Sequence, residues 1–209
     1  LTLSTPGDSA LLDTALVALA GSVSDANGAD RLEWMTPGDT GQVALGGDTL
    51  AVFDTAVSVP EGRNTVAVRA VDVGGNETIA NRTVTVDTEV PSVTAVGLSD
   101  GDTVDTDTVP LVVRDSFGVD SVAWAIDDDS FVSVAAHADT AVRDSIPFTG
   151  LRDGAHTLKL RAADRAGNRM EAAIGFHLES GVDSVEAPSA AFTVGGSTTA
   201  GEEIGRAHV

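Results

Sequence analysis

Five carboxylates have the chemistry and the placement to gather a hard metal ion: Asp72, Asp87, Glu89, Asp115 and Asp120. Calcium takes roughly six to eight oxygen ligands, so several such side chains must converge. The five fall at turn and junction positions near one end of a repeated unit. No EF-hand loop is present, so the ligands would have to come from separate loops. Asp also serves as an ordinary turn residue, because its side chain bonds its own backbone two residues on. Calcium is the single candidate cofactor.

Two further triplets could carry a modification. Asn76-Glu77-Thr78 and Asn81-Arg82-Thr83 fit the Asn-x-Ser/Thr glycosylation acceptor, which matters only in an exported chain. Catalysis has no comparable support. His137, His156, His177 and His208 are scattered, and no nucleophile elbow, His-Glu-x-x-His helix or phosphate-binding glycine loop occurs. Asp105-Thr106-Asp107 and Asp127-Asp128-Asp129 are acid clusters that read as solvated loop charge. General acid–base work would need a pocket to shift a pKa. The chain therefore reads as no enzyme.

The elements that would position these groups are strands. Thr65 to Asn76 and Thr157 to Asn168 are two copies of one pattern. Each begins with apolar/polar alternation, the mark of a strand with one buried face. Val66, Val68 and Ala70 point inward in the first, and Leu158, Leu160 and Ala162 in the second. Each ends at Asp-x-x-Gly-Asn, where Gly and Asn accept a positive φ and turn the chain back. A second pattern, Asp-x-x-Gly-x-Asp-x-[Leu/Val]-x-Trp, runs from Asp25 to Trp34 and from Asp115 to Trp124. The tryptophans lie 90 residues apart, and Arg69 and Arg161 lie 92 apart. Two matched segments at nearly one offset indicate a repeated domain of about ninety residues.

Other strands are expected at Ala15 to Val23, Leu32 to Trp34, Gln42 to Leu45, Leu50 to Val59 and Glu77 to Asp87. In the second repeat they are expected at Val109 to Arg114, Phe131 to Val134, Ala141 to Phe148 and Arg169 to Leu178. Asp25 to Asp30 reads as a loop, and alternation puts Asp87 on the outer face opposite Val84 and Val86. Pro91 cannot donate a ladder bond and suits a junction between domains. Trp34 and Trp124 could stack on sugars, but their place on alternating strands assigns them to structural cores. On that footing Trp124→Ala would cost about 3–5 kcal/mol. Phe117 is the one clear loop aromatic that favours a binding role.

Charge narrows the partners. Acidic residues number 32 against 12 basic ones, a formal charge of −20, and Lys159 is the only lysine. Such a surface resembles that of a protein from a high-salt organism. Nucleic acid and anionic membranes are poor partners, since both need clustered Lys and Arg. The absence of cysteine excludes disulfides, thiolate zinc sites and cysteine nucleophiles. No apolar run approaches the ~18–20 residues of a membrane helix. The chain begins at Leu1 and reads as an internal fragment.

Short strands with regular turns in units of about ninety residues indicate β-sandwiches. At the matched motifs the resemblance becomes specific. Ala70 to Asn76 and Ala162 to Asn168 resemble the Asp-x-x-Gly-Asn hairpin of bacterial and archaeal Ig-like (BIg-type) domains. Val86-Asp87-Thr88-x-x-Pro91 resembles their interdomain junction. There is no Cys pair and no Tyr for a tyrosine corner, so antibody-type domains are not implied. The resemblance implies tandem Ig-like domains over 1–90 and 91–180, and a place on surface proteins, adhesins or secreted enzymes. It also implies that calcium can sit at a junction and stiffen the rod. Residues 181–189 read as a linker. Residues 190–203 resemble the start of a polycystic-kidney-disease (PKD) type domain. Residues 204–209 match a read-through of a common sequencing adapter and are set aside.

The expected fold is thus all-β, with tandem immunoglobulin-like sandwiches. The expected function is a non-enzymatic spacer or stalk in an extracellular or cell-surface protein, with neighbouring domains of its own chain as partners. The alternatives are an adhesin-type module for glycan or protein, and accessory domains of an extracellular hydrolase.

Overall fold

A computed structural model describes residues 1–179. The described chain is all β, arranged as two sandwiches, each with its own core. The first holds β1 (Thr2–Thr5), β2 (Ala10–Leu12), β3 (Leu16–Met35), β4 (Thr40–Ser58), β5 (Gly62–Asp72) and β6 (Glu77–Val86). The second holds β7 (Ser92–Ala95), β8 (Asp102–Val104), β9 (Thr108–Arg114), β10 (Val119–Ile126), β11 (Val132–Val134), β12 (Ala141–Pro147), β13 (Gly154–Asp164) and β14 (Arg169–Leu178). Residues 181–189, 190–203 and 204–209, read above as linker, PKD-like start and adapter scar, lie outside the described residues.

In the second sandwich the layers are separate sheets, ordered β11-β10-β13-β14-β8 and β12-β9-β7. In the first, β3 and β4 are long enough to serve both layers. The order β1-β3-β5-β6-β2, with β4 on β3, forms one continuous sheet. The Asp-to-Trp match makes β3 the counterpart of β9 and β10 together. The expected loop at Asp25 to Asp30 is therefore corrected. Strand continues through it, with register shifts between Ser24 and Ala29 and between Ala29 and Arg31. Gly28, at φ 102°, makes this local bend, and a Cβ there would come 2.1 Å from Gly47 O. The two strands expected at Gln42 to Leu45 and Leu50 to Val59 are likewise one strand, β4.

The alternation expected for β5 and β13 sets the cores. Val66, Val68, Leu158 and Leu160 are all within 2 % exposure, joined by Leu19, Leu32 and Val57 in the first core and Leu111 and Ile146 in the second. Trp34 and Trp124 pack against these cores as half-buried residues. Each keeps its indole N–H buried with no hydrogen-bond partner. In both sandwiches a three-residue strand closes the sheet in parallel on the last strand, β2 on β6 and β8 on β14. That pairing carries the end of β6 past Leu12 toward the second sandwich.

Candidate metal centre

Three carboxylates meet where the first sandwich runs into the second. Asp87, Asp115 and Asp164 each offer an oxygen, and these atoms all lie within 4.8 Å of one another. All three side chains are buried.

Each is placed by local backbone chemistry. Asp164 closes β13 and holds the hairpin that follows. Its Oδ1 accepts the N–H groups of Gly167 (2.7 Å) and Asn168 (2.9 Å), and its Oδ2 accepts Asn168 Nδ2 (2.8 Å). Asp115 follows β9 and folds its own loop the same way, with Oδ1 accepting Phe117 N–H and Gly118 N–H, both at 2.8 Å. Gly118 sits at φ 111°, and Arg165 N–H donates to its C=O at 3.0 Å, tying the loop to the hairpin. Asp87 arrives from the first sandwich. Its N–H donates to Leu12 C=O (2.9 Å), and its C=O accepts Asn168 Nδ2 (2.8 Å). Asn168 therefore bridges the two sandwiches.

The side chain of Asp87 is the least satisfied of the three. Oδ1 takes only a long bond from Glu89 N–H (3.4 Å), and Oδ2 is buried with no partner. Burial first, then the negative fields of Asp115 and Asp164, push its carboxyl up to about 6. No ion pair among the described residues reaches the cluster. Buried carboxylates packed this closely need a proton or a cation between them. An all-oxygen donor set with an orphaned oxygen fits a hard cation of the calcium type.

Of the five residues singled out from the sequence, the structure brings together Asp87 and Asp115. Asp87 is corrected from an outward-facing position: it is buried, beside Asp115, Asp164 and Asn168 of the second sandwich. Glu89 is exposed and reaches the cluster only through its backbone N–H. Asp120 is exposed on β10 and outside the cluster. Asp72 is also outside. It holds the first hairpin as Asp164 holds the second, with Asn76 N–H and Asn76 Nδ2 each at 2.7 Å, and those bonds pull its pKa down. The missed residue is Asp164. Its one signal in the sequence is the match to Asp72 in the repeat; that its hairpin faces the junction is shown by the fold.

Asn76 and Asn81 are both exposed. Phe117 is half-buried in the Asp115 loop. His177 is exposed, His137 sits at φ 47°, and His208 lies outside the described residues. His156, at the far end of β13, is held between two acceptors. Its Nδ1 faces Asp127 Oδ2 and its Nε2 faces Arg152 C=O, both at 2.7 Å, with Phe176 against the ring. A neutral imidazole has one N–H and can satisfy only one of them. The Arg152 carbonyl, then the Asp127 carboxylate, raise the pKa of His156. The stability this gives is fully present below the ordinary value near 6.5 and is lost as pH rises through the raised folded value. Melting temperature should fall as pH rises above about 6.5. His156→Asn should flatten that dependence. Equal slopes in the two proteins would refute the clasp.

No protein-family model matches the chain. No curated protein matches it. Among solved structures, it is similar to the fibronectin(III)-like modules of Clostridium thermocellum CbhA, at 13% identity and TM-score 0.40, over 85% of this chain and 93% of that one. It is similar to a tetra-tandem repeat in the extending region of a large adhesion protein, at 19% identity and TM-score 0.39, over 86% of this chain and 48% of that one. It is also similar to a 1.5-MDa bacterial ice-binding adhesin, at 16% identity and TM-score 0.38, over 79% of this chain and 58% of that one.

Proposed function

We propose that the chain is a non-enzymatic spacer of a secreted or surface-attached protein. Its two sandwiches, about 1–90 and 91–180, would be locked in series by calcium at Asp87, Asp115 and Asp164. The observation that carries this reading is the unpartnered Oδ2 of Asp87, buried between two further carboxylates that belong to the other sandwich. A bound cation would supply the positive charge that the site lacks. The protein supplies the rest. Leu12 C=O and Asn168 Nδ2 fix Asp87 at both its N–H and its C=O, so the first sandwich cannot turn without disturbing the hairpin of the second. Asp115 and Asp164 are pre-set by their own loops, which keeps the ordering cost of binding low. Small-angle X-ray scattering with calcium and with chelator tests the reading. A loss of rigidity on chelation supports it, and no change removes it.

A second reading rests on a cleft of about 570 Å³ on the outer face of the first sandwich. Met35 and Ile79 give it an exposed apolar rim, and Glu33 and Arg69 give it polar groups. That mixture suits a small glycan or a protein side chain, and a glycan array would report it.

A further inference from the structure

The outer edge of β4 has no strand partner among the described residues. Its backbone bonds show which residues face that edge. Val59 N–H donates inward to Ala15 C=O at 2.9 Å. Ser58 instead turns outward, donating to Asp39 Oδ2 (3.4 Å) and accepting from Thr36 Oγ1 (2.7 Å). Backbone groups alternate along a strand, and the β3–β4 register is unbroken from Leu16↔Ser58 to Ser24↔Leu50. Leu50, Val52, Asp54 and Ala56 therefore direct their N–H and C=O groups to the open side.

The same residues put their side chains on the solvent face. Leu50 is 64% exposed, Val52 78%, and Leu16 on the neighbouring strand 63%. Asp54 is the only charged side chain on the solvent face of β3 from Leu16 to Ser24 and β4 from Leu50 to Ser58. The chain as a whole carries −20.

The second sandwich shows the same edge guarded. Phe148 N–H donates to Asp107 C=O (2.7 Å) as Val59 does to Ala15, which aligns β12 with the end of β4. By that alignment Pro147 stands where Ser58 does and Arg143 where Asp54 does. β12 is also only 7 residues long, against 19 for β4. Short length, proline and charge are the usual protections of an edge strand; from Leu50 to Ala56 β4 has neither the short length nor the proline, and Asp54 is its single charge.

We propose that this edge is a homotypic association surface, on which a second copy of the chain pairs its own β4 antiparallel to the first. The charge distribution selects the partner. Two strongly acidic copies repel wherever carboxylates face each other, and this face nearly lacks them. A two-fold axis brings identical patches together. Centring it on Asp54 would oppose two like charges. Centring it on Val52 stacks the two valines and sets each Asp54 against Leu50 of the other copy.

Sedimentation velocity of the whole chain over a range of concentrations, at low and at molar salt, is the test. A monomer–dimer equilibrium is expected, with the dimer favoured by salt because salt screens the net repulsion. Val52→Lys should weaken it about tenfold or more without changing the melting temperature, since the side chain is exposed. Val52→Pro, which removes an outward N–H at a position where an edge strand tolerates proline, should weaken it likewise. A chain that stays monomeric under all conditions overturns the proposal. So does a dimer that survives both substitutions, or one that weakens as salt rises.

Discussion

Chelating calcium from a loaded sample is expected to lower the melting temperature of the chain by on the order of 10 °C. A site held at a hundredfold excess over its Kd stabilises by about 2.7 kcal/mol, and each kcal/mol moves a domain of this size by ~4–8 °C. The stabilisation should appear at the junction, because Asp87 comes from one sandwich and Asp115 and Asp164 from the other. Asp87→Asn sharpens the expectation. Holding the Asp87 carboxyl at about 6 rather than 3.8 disfavours its ionised form, a penalty on the order of 2–3 kcal/mol at neutral pH. In chelator the neutral amide should therefore match or exceed the parent in stability. In calcium it should fall below it. The sign also fixes the pH window. Without cation the contribution of Asp87 is greatest below its unfolded value and is lost as pH rises through about 6. With calcium that loss should vanish. A melt indifferent to calcium at every pH contradicts the site.

Leu158→Ala is the second large effect. Leu158 is fully buried on β13 and belongs to the second core. Removing its side chain should cost about 2–5 kcal/mol, from lost transfer energy plus the cavity left behind. Leu32→Ala should cost a similar amount in the first core, where Leu32 is equally buried. The informative part is where each loss appears. Because the two cores share no residue, amide exchange should quicken in the sandwich that carries the substitution and much less in the other. Uniform quickening across both would contradict separate cores.

Much of this architecture was legible because it is local. Alternation in Val66-Ala67-Val68 and Leu158-Lys159-Leu160 depends only on the period of a strand, and the buried faces follow it. The Asp-x-x-Gly-Asn turns were readable for the same reason, since Asp72 and Asp164 bond the backbone within four residues. What local pattern could not show is what a neighbouring sandwich covers. Alternation puts Asp87 outside. In the fold it is buried beside Asp115, Asp164 and Asn168 of the second sandwich. The path of β3 through Asp25 to Asp30 is also non-local, because partners on either side hold the strand through a bend that turn residues alone would end. Asp72 and Asp164 are equivalent in the repeat, and only the order of the sandwiches tells which hairpin meets the junction.

The most direct check is X-ray scattering from dilute chain at low salt, with calcium, with chelator, and with calcium on Asp164→Asn. The account predicts a narrow spread of inter-sandwich distances in the first sample and a broader one in the other two. Three superimposable scattering curves would mean that no cation joins the sandwiches at Asp87, Asp115 and Asp164.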